Sequence, residues 1–142
     1  DWSSDVCSSD LMADMQEKFN LAIQIRDQVT VANDAVIKIR SIKEKLNEQA
    51  KASKKALSKS SISLIAAISK IEENLYQVRN QSSQDPLNFP IKLNNKMASL
   101  MRVVESGDYK PTAGSYKVFE ELKAELAIEI NQLNKLLAEA KL

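Results

Sequence analysis

Three glutamates near the end of the chain form the clearest pattern of residues that could do chemistry. Glu121, Glu125 and Glu129 follow one another at intervals of four, which places them on one face of a helix. Paired carboxylates are the minimum for glycoside hydrolysis, and rows of carboxylates can also line a metal site. Lys117 and Lys123 stand among these glutamates, and no second acidic row is evident in the sequence. The pattern therefore favours a solvated face over an acidic groove or a metal edge.

The composition excludes several other kinds of active site. The chain has no histidine, so Ser-His-Asp and Cys-His constellations and His-containing zinc sites cannot be built from it. A di-metal carboxylate bundle would also need a Glu-x-x-His motif on two helices. We predict no catalytic, cofactor-binding or metal-binding residues in this chain, and no cofactor.

A basic stretch could contact phosphates or anionic lipid head groups. Glu44 and Glu48 interrupt it, and no aromatic residue lies nearby to stack on a base. We interpret it as solvated lysines around a helix end and a turn, and we predict no nucleic-acid partner. The lysines are Lys43, Lys45, Lys51, Lys54, Lys55 and Lys59.

Two pairs of polar residues directly follow apolar positions. They are Arg26-Asp27 and Asn94-Asn95. A binding site is one interpretation of such pairs. We favour the other, a half-buried polar network between helices that fixes their register, because buried polar groups need partners.

Residues 1–11 differ from the rest of the chain. They contain four Ser, three Asp, the only Trp and the only Cys, and they resemble, letter for letter, one reading frame of a common sequencing adapter. We predict that residues 1–11 are an appended artefact, disordered or fused to the protein, and that residues 12–142 are a helical fragment of a longer protein. Without the three acids, 20 bases face 16 acids, and the formal charge rises from +1 to +4.

Apolar residues recur at steps of three and four in four segments, which predicts four amphipathic helices. The first segment runs from Met15 to about Gln49, and Phe19, Ile23 and Ile37 widen its apolar face. Lys43 occupies a position where the period calls for one more apolar residue. The second segment follows Ser53, the third ends near Gly107 with a left-handed cap, and Thr112 caps the fourth. The repeating apolar positions are Ala22, Ile25, Val29, Ala32, Val36, Ile39 and Leu46; Leu57, Leu64, Ile68, Ile71, Leu75 and Val78; Leu93, Met97, Leu100 and Val104; and Phe119, Leu122, Leu126, Ile130, Leu133 and Leu137.

The predicted fold is all-α, an antiparallel up-down four-helix bundle with long first, second and fourth helices and a shorter third helix. Short connections favour antiparallel neighbours. No apolar run is long enough for a transmembrane segment, which needs about 18 residues or more.

The third and fourth segments resemble a known family. The string DPLNFPIKLNNK at residues 85–96, VVESGD at 103–108, Pro111-Thr112 and YKVFEEL at 116–122 are similar to the C-terminal region of large bacterial β-propeller proteins. The propellers of that family carry sortilin-like or BNR repeats, and its members are often labelled glycosyl hydrolases.

The resemblance implies a non-catalytic helical appendage of an exported protein, periplasmic or extracellular, with the propellers upstream of it in the same chain. The implied partners are those propellers or another protein, and no catalytic residue of the family corresponds to a residue here. Two alternatives stay open. The chain could be an accessory part of a glycoside hydrolase whose active site lies in the propellers, or an independent helical protein that self-associates or binds anionic surfaces.

Overall fold

The computed structural model describes residues 2–54, 56–79, 89–107 and 109–141, with side chains from Ser9 onward. It contains four helices, α1 (Trp2–Ala52), α2 (Lys59–Leu75), α3 (Leu93–Ser106) and α4 (Ala113–Glu139). The described residues include no strand, and the four helices pack together in a bundle. The predicted all-α helical bundle is confirmed.

Helix α1 has 51 residues and is about 77 Å long at about 1.5 Å per residue. It contains neither Gly nor Pro, the two residues that most strongly disfavour a helix interior. It begins at Trp2, so residues 2–11 are helical and not disordered, which was one of the two expectations for this segment. That they are an artefact stays a prediction.

Contacts between side chains give the directions of the helices. Arg40 and Lys43 of α1 both contact Glu72 near the end of α2. Helix α2 therefore runs antiparallel to α1, from the turn that follows α1 back to the middle of α1.

Helix α3 continues in the same direction as α2. Near its start, Asn94 donates a hydrogen bond to Asn33, and just after its end the carbonyl of Gly107 accepts one from Lys18. The two short helices thus lie in tandem along α1 and contact each other little. Helix α4 then runs parallel to α1.

The bundle therefore consists of three rods, with the second rod divided into α2 and α3. The predicted alternation holds between α1 and α2 and between α3 and α4, but not between α2 and α3, so both α3 and α4 run opposite to the predicted directions. The turns at 53–58 and 107–112 are short and join antiparallel neighbours, whereas the connection from 76 to 92 is long enough for α3 to continue along α1.

Helix α2 is shorter than predicted, with 17 residues. The helix begins after Ser58, whose side chain accepts a hydrogen bond from the backbone N–H of Ser61 at 3.1 Å. The predicted cap, Ser53, instead donates to the carbonyl of Gln49 in the last turn of α1. Because serine satisfies backbone groups equally well at either helix end, its presence did not locate the start.

The core follows the predicted apolar positions in α3 and α4 closely. The predicted residues of α3 are all buried, and those of α4 are buried except for the half-buried Ile130. On α1 the prediction of a wider face was wrong at Phe19 and Ile37, which are exposed, while Ile23 is half-buried. The buried face is wider on its other side, where Leu21 and Ala35 are buried, because that side meets the other rods.

In the turn between α3 and α4, the prediction for the start of α4 is confirmed and the prediction for the end of α3 was wrong. Thr112 caps α4 as predicted, and its hydroxyl accepts from the backbone N–H of Ser115 at 3.1 Å. Gly107 does not adopt the predicted left-handed conformation, because its φ of −78° and ψ of 145° are extended. Its carbonyl is satisfied by Lys18 instead.

Two methionines provide a test of this core. Met97 is fully buried in α3, whereas Met12 is exposed on α1. We expect Met97→Ala to lower the free energy of unfolding by about 2–5 kcal/mol, because it removes buried apolar groups and leaves a cavity. Met12→Ala should change it by less than about 0.5 kcal/mol. Urea denaturation followed by circular dichroism measures both, and equal effects would contradict the described packing.

Candidate functional site

A cleft opens where the second rod is divided, between the end of α2 and the start of α3, above α4. Its volume is about 410 Å³, within the range of about 300–1,000 Å³ that is typical of small-molecule sites. Three elements contribute to it, so its shape depends on the tertiary structure. The lining residues are Asn74, Pro90, Ile91, Lys92, Leu93, Lys96, Glu125, Ile128 and Glu129.

The wall that α4 forms is acidic. Glu125 and Glu129 lie one turn apart, and Asn74 of α2 donates a hydrogen bond to Oε1 of Glu129 at 3.0 Å. The other oxygen of Glu129, Oε2, is covered and has no partner among the described residues. A buried acceptor without a donor costs about 1–3 kcal/mol, and because this oxygen is covered by the protein itself, a group in the cleft does not reach it.

Glu121, the first member of the predicted acidic row, does not belong to the cleft. It is exposed on the surface of α4, where its Oε1 lies 4.0 Å from Nζ of Lys117. The interpretation as a solvated face therefore holds for Glu121 and for Glu125, which is also exposed, while the rotation of α4 carries the half-buried Glu129 toward the junction of the rods. The sequence placed the three on one face but could not say which neighbour this face meets.

The opposite wall is basic. Lys92 and Lys96 lie in the first turn of α3, and neither forms an ion pair with a carboxylate of the described residues. Lys92 is the N-cap residue, and no side chain caps this helix end. The backbone N–H groups of a first turn are unsatisfied and carry partial positive charge, which adds to the two ammonium groups.

The rim of the cleft is apolar and fixed in place. Ile91 and Ile128 are 43% and 65% exposed, so large apolar surfaces flank the charged walls. The buried side chain of Gln77 donates a hydrogen bond to the carbonyl of Pro90 at 2.8 Å. This bond attaches the chain before α3 to the chain after α2, and so sets the width of the division between them.

A buried charge network that the sequence pattern did not predict lies close to this division. Glu72 of α2 is only 4% exposed and accepts hydrogen bonds from Arg40 at 2.6 Å and Lys43 at 2.9 Å. Arg40 also lies over the ring of Tyr76, 5.4 Å from its centre. The available signal was Lys43 at an apolar position of the first segment, since a charge on a core face requires a partner.

Electrostatics keeps the Glu72 carboxylate charged. Burial alone raises the pKa of Glu72, but the hydrogen bonds and positive charges of Lys43 and Arg40 outweigh this effect and hold the pKa below its ordinary value of 4.5. At the other end of the bundle, Tyr116 donates to Glu17 at 2.8 Å, and burial together with this carboxylate raises the pKa of Tyr116 above 10.0.

The two predicted polar pairs lie in different environments in the structure. Asn94 is buried and donates to Asn33 of α1 at 3.4 Å, which agrees with a contact between helices, and Asn95 is half-buried. Arg26 and Asp27 were predicted to be half-buried and paired across helices, and this was wrong. Both are exposed and pair with each other, with Nη2 of Arg26 2.8 Å from Oδ1 of Asp27. The side of α1 on which they lie has no neighbouring rod, although Ile25 beside them is buried.

The six lysines of the basic stretch also lie in different environments. Lys43 is in the network with Glu72, and Lys55 lies outside the described residues. Lys45, Lys51 and Lys54 are exposed near the end of α1, and Lys59, also exposed, begins α2. These four agree with the interpretation as solvated lysines.

The described residues assemble no group of three or more Cys, Asp or Glu side chains that could hold a metal ion. No helix in this part of the chain is long and apolar enough to cross a membrane. The chemistry that the cleft offers is recognition by charge, with one acidic wall, one basic wall and an apolar rim.

No protein-family model, no curated protein and no solved structure matches this chain.

The Glu72 network predicts a pH-dependent contribution to stability. Because the pKa of Glu72 is lower in the folded protein than its ordinary value of 4.5, its ion pairs stabilise the fold above that pH, and this contribution is lost as the pH falls through the folded pKa. Glu72→Gln should lower the free energy of unfolding by about 1–3 kcal/mol at neutral pH. The difference between the variant and the wild type should shrink in acid.

Urea denaturation at pH 7 and at about pH 3 measures this difference. Glu121→Gln is the matched control, because Glu121 forms only a long surface pair, and it should be nearly neutral at both pH values. A Glu72→Gln effect that is equal at both pH values would contradict the assigned charge state.

Proposed function

We propose that this chain is a non-catalytic helical docking domain of a larger exported β-propeller protein, and that its helices pack against the propellers. The observation that carries the proposal is a row of exposed apolar side chains on α1, formed by Met12, Met15 and Phe19, which we name the α1 patch. Their exposed fractions are 70%, 59% and 59%.

The α1 patch lies where the other rods end. Gly107, just after α3, and Tyr116, in the first turn of α4, contact α1 at Lys18 and Glu17. Helices α3 and α4 therefore extend along α1 only to about Glu17 and Lys18. A shallow pocket of about 260 Å³ lies beside the patch, lined by Met15, Lys18, Phe19, Ala22 and Glu105.

The composition of the α1 patch suits a protein-binding surface. Burying apolar area contributes about 25 cal/mol per Å², and contiguous apolar groups with a charged border are typical of interaction sites. Methionine adapts its shape to a partner because it is unbranched and flexible. Lys18 and Glu105 provide charges of both signs at the border of the pocket.

The choice of partner rests on the resemblance of residues 85–96 and 103–122 to the region that follows the propellers in the family named above. The accessory glycosidase hypothesis gains no support from the acidic row, because Lys92 and Lys96 share the cleft with Glu125 and Glu129.

Binding to the upstream domain tests this proposal. The upstream reading frame would first be determined from adapter-free DNA, and the domain that it encodes would be expressed separately. Isothermal titration with the present chain should then show binding. Phe19→Glu should weaken it by about tenfold or more, because it places a charge in an apolar contact.

Val31→Glu is the matched control, since Val31 is exposed on a different face of α1, and it should leave binding unchanged. An upstream frame without propeller repeats, or a propeller that does not bind, would overturn the proposal. If the chain instead self-associates in sedimentation experiments and Phe19→Glu makes it monomeric, the α1 patch contacts a second copy and the docking proposal is rejected.

A further inference from the structure

We propose that the end of the α1–α2 hairpin binds an anionic phospholipid surface through its lysines. This end, which we name the hairpin tip, comprises residues 49–62. The inference is independent of the docking role, because the hairpin tip and the α1 patch lie toward opposite ends of α1. Phe19 and Lys51 are 32 positions apart, or about 48 Å at about 1.5 Å per residue, so both surfaces can be occupied at once.

The hairpin tip projects beyond the enclosed core of the bundle. The buried residues of α1 end at Ile39, and those of α2 begin at Ile68. Between them, from residue 40 to residue 67, none of the described residues is buried. Helix α1 continues past Ile39 to Ala52, which is about 20 Å at about 1.5 Å per residue. The hairpin tip is therefore a narrow end, formed by two helices and the turn between them, that a flat surface can reach.

Positive charge is concentrated in this part of the chain. From Gln49 to Ile71 the sequence contains five lysines and no acidic residue, and because the whole chain has a formal charge of only +1, the other residues carry −4. Lys51, Lys54 and Lys59 lie in the hairpin tip and are exposed. None of these three forms an ion pair with a described residue. Their charges are thus uncompensated by the protein, which separates them from the interspersed charges of its other surfaces.

Apolar groups accompany these lysines. An open depression of about 470 Å³ lies at the hairpin tip, with lysines at its border and a mostly apolar remaining lining. Ile62, in the first turn of α2, is 54% exposed. A bilayer presents anionic phosphates at its surface and apolar chains directly beneath them, so one partner satisfies both kinds of side chain. The depression is lined by Asn47, Ala50, Lys51, Lys54, Ala56 and Leu57.

The residue types favour a lipid surface over a nucleic acid or a protein. The run from 49 to 71 contains neither arginine nor an aromatic residue, so it offers no guanidinium for bidentate contacts and no ring to stack on a base. A stable protein interface needs about 800 Å² of well-packed surface on each partner. Lysines near an anionic bilayer instead act one by one, and each strengthens binding about fivefold. A narrow basic end fits the bilayer.

Co-sedimentation of the full chain with vesicles tests the proposal. We expect binding to phosphatidylcholine vesicles that contain about 30% phosphatidylglycerol, and binding at least about tenfold weaker to pure phosphatidylcholine. Raising the salt from about 0.1 M to about 1 M should weaken the binding, because salt screens exposed charges. Equal binding to both kinds of vesicle, or binding to neither, would overturn the proposal.

Removal of three charges locates the contact. A variant that combines Lys51→Gln, Lys54→Gln and Lys59→Gln should bind the anionic vesicles about a hundredfold more weakly, since each lysine contributes about fivefold. Glutamine is a good helix former, and thermal melting by circular dichroism confirms that the variant is folded.

The matched control removes three exposed lysines from other parts of the bundle, with Lys96→Gln, Lys110→Gln and Lys117→Gln. It lowers the net charge equally, and it should weaken binding by less than about threefold because these lysines lie far from the bilayer. Equal losses in the two triple variants would show attraction by net charge alone and would reject the hairpin tip as the contact.

The apolar part of the contact has its own test. Ile62→Ser should weaken binding to anionic vesicles about fivefold, because it removes an apolar side chain that the bilayer takes up from water. Ile128→Ser, at a residue that is 65% exposed on α4, is the matched control and should leave binding unchanged. If the chain binds a single-stranded oligonucleotide more tightly than the anionic vesicles at the same salt concentration, the partner is a nucleic acid and the lipid proposal is rejected.

Discussion

The length of α1 is the constraint on which the rest of the bundle depends. With 51 residues it is almost twice as long as α4 and three times as long as α2, so no other helix can cover its apolar face alone. Two short helices in tandem cover one side of it, and α4 returns along another. A helix of this length owes its stability largely to such packing, because propensity alone contributes little in water.

Several buried polar contacts lie near the end of α2, where the second rod is divided. Where α2 ends, its last turns need a partner on α1, and Arg40 and Lys43 provide it by binding Glu72. A buried carboxylate is costly unless it is fully paired, and here two cations neutralise it. Gln77 then joins the two sides of the division through the carbonyl of Pro90.

The same division has a functional consequence. A continuous second rod would have filled the space above Glu125 and Glu129 with apolar side chains, whereas its interruption leaves a dipolar cleft with an unsatisfied carboxylate oxygen. The α1 patch has a different origin, because Phe19 shares its side of α1 with the exposed Ile37, and this side faces away from the other rods. The cleft is a place where the shorter helices leave a longer one uncovered, whereas the α1 patch lies on a side of α1 that no rod covers.

The sequence by itself determined that there are four helical segments, the core faces of α3 and α4 and the cap at Thr112, because these depend on local periodicity and on hydrogen bonds between near neighbours. It also excluded histidine-based catalysis. Only the tertiary structure decided that α3 follows α2 along α1, that Glu72 meets Arg40 and Lys43, that Arg26 is solvated, and that Glu129 but not Glu121 lines a cleft. A period of 3.6 residues shows which side chains share a face, but which neighbour that face meets depends on contacts between residues far apart in the chain.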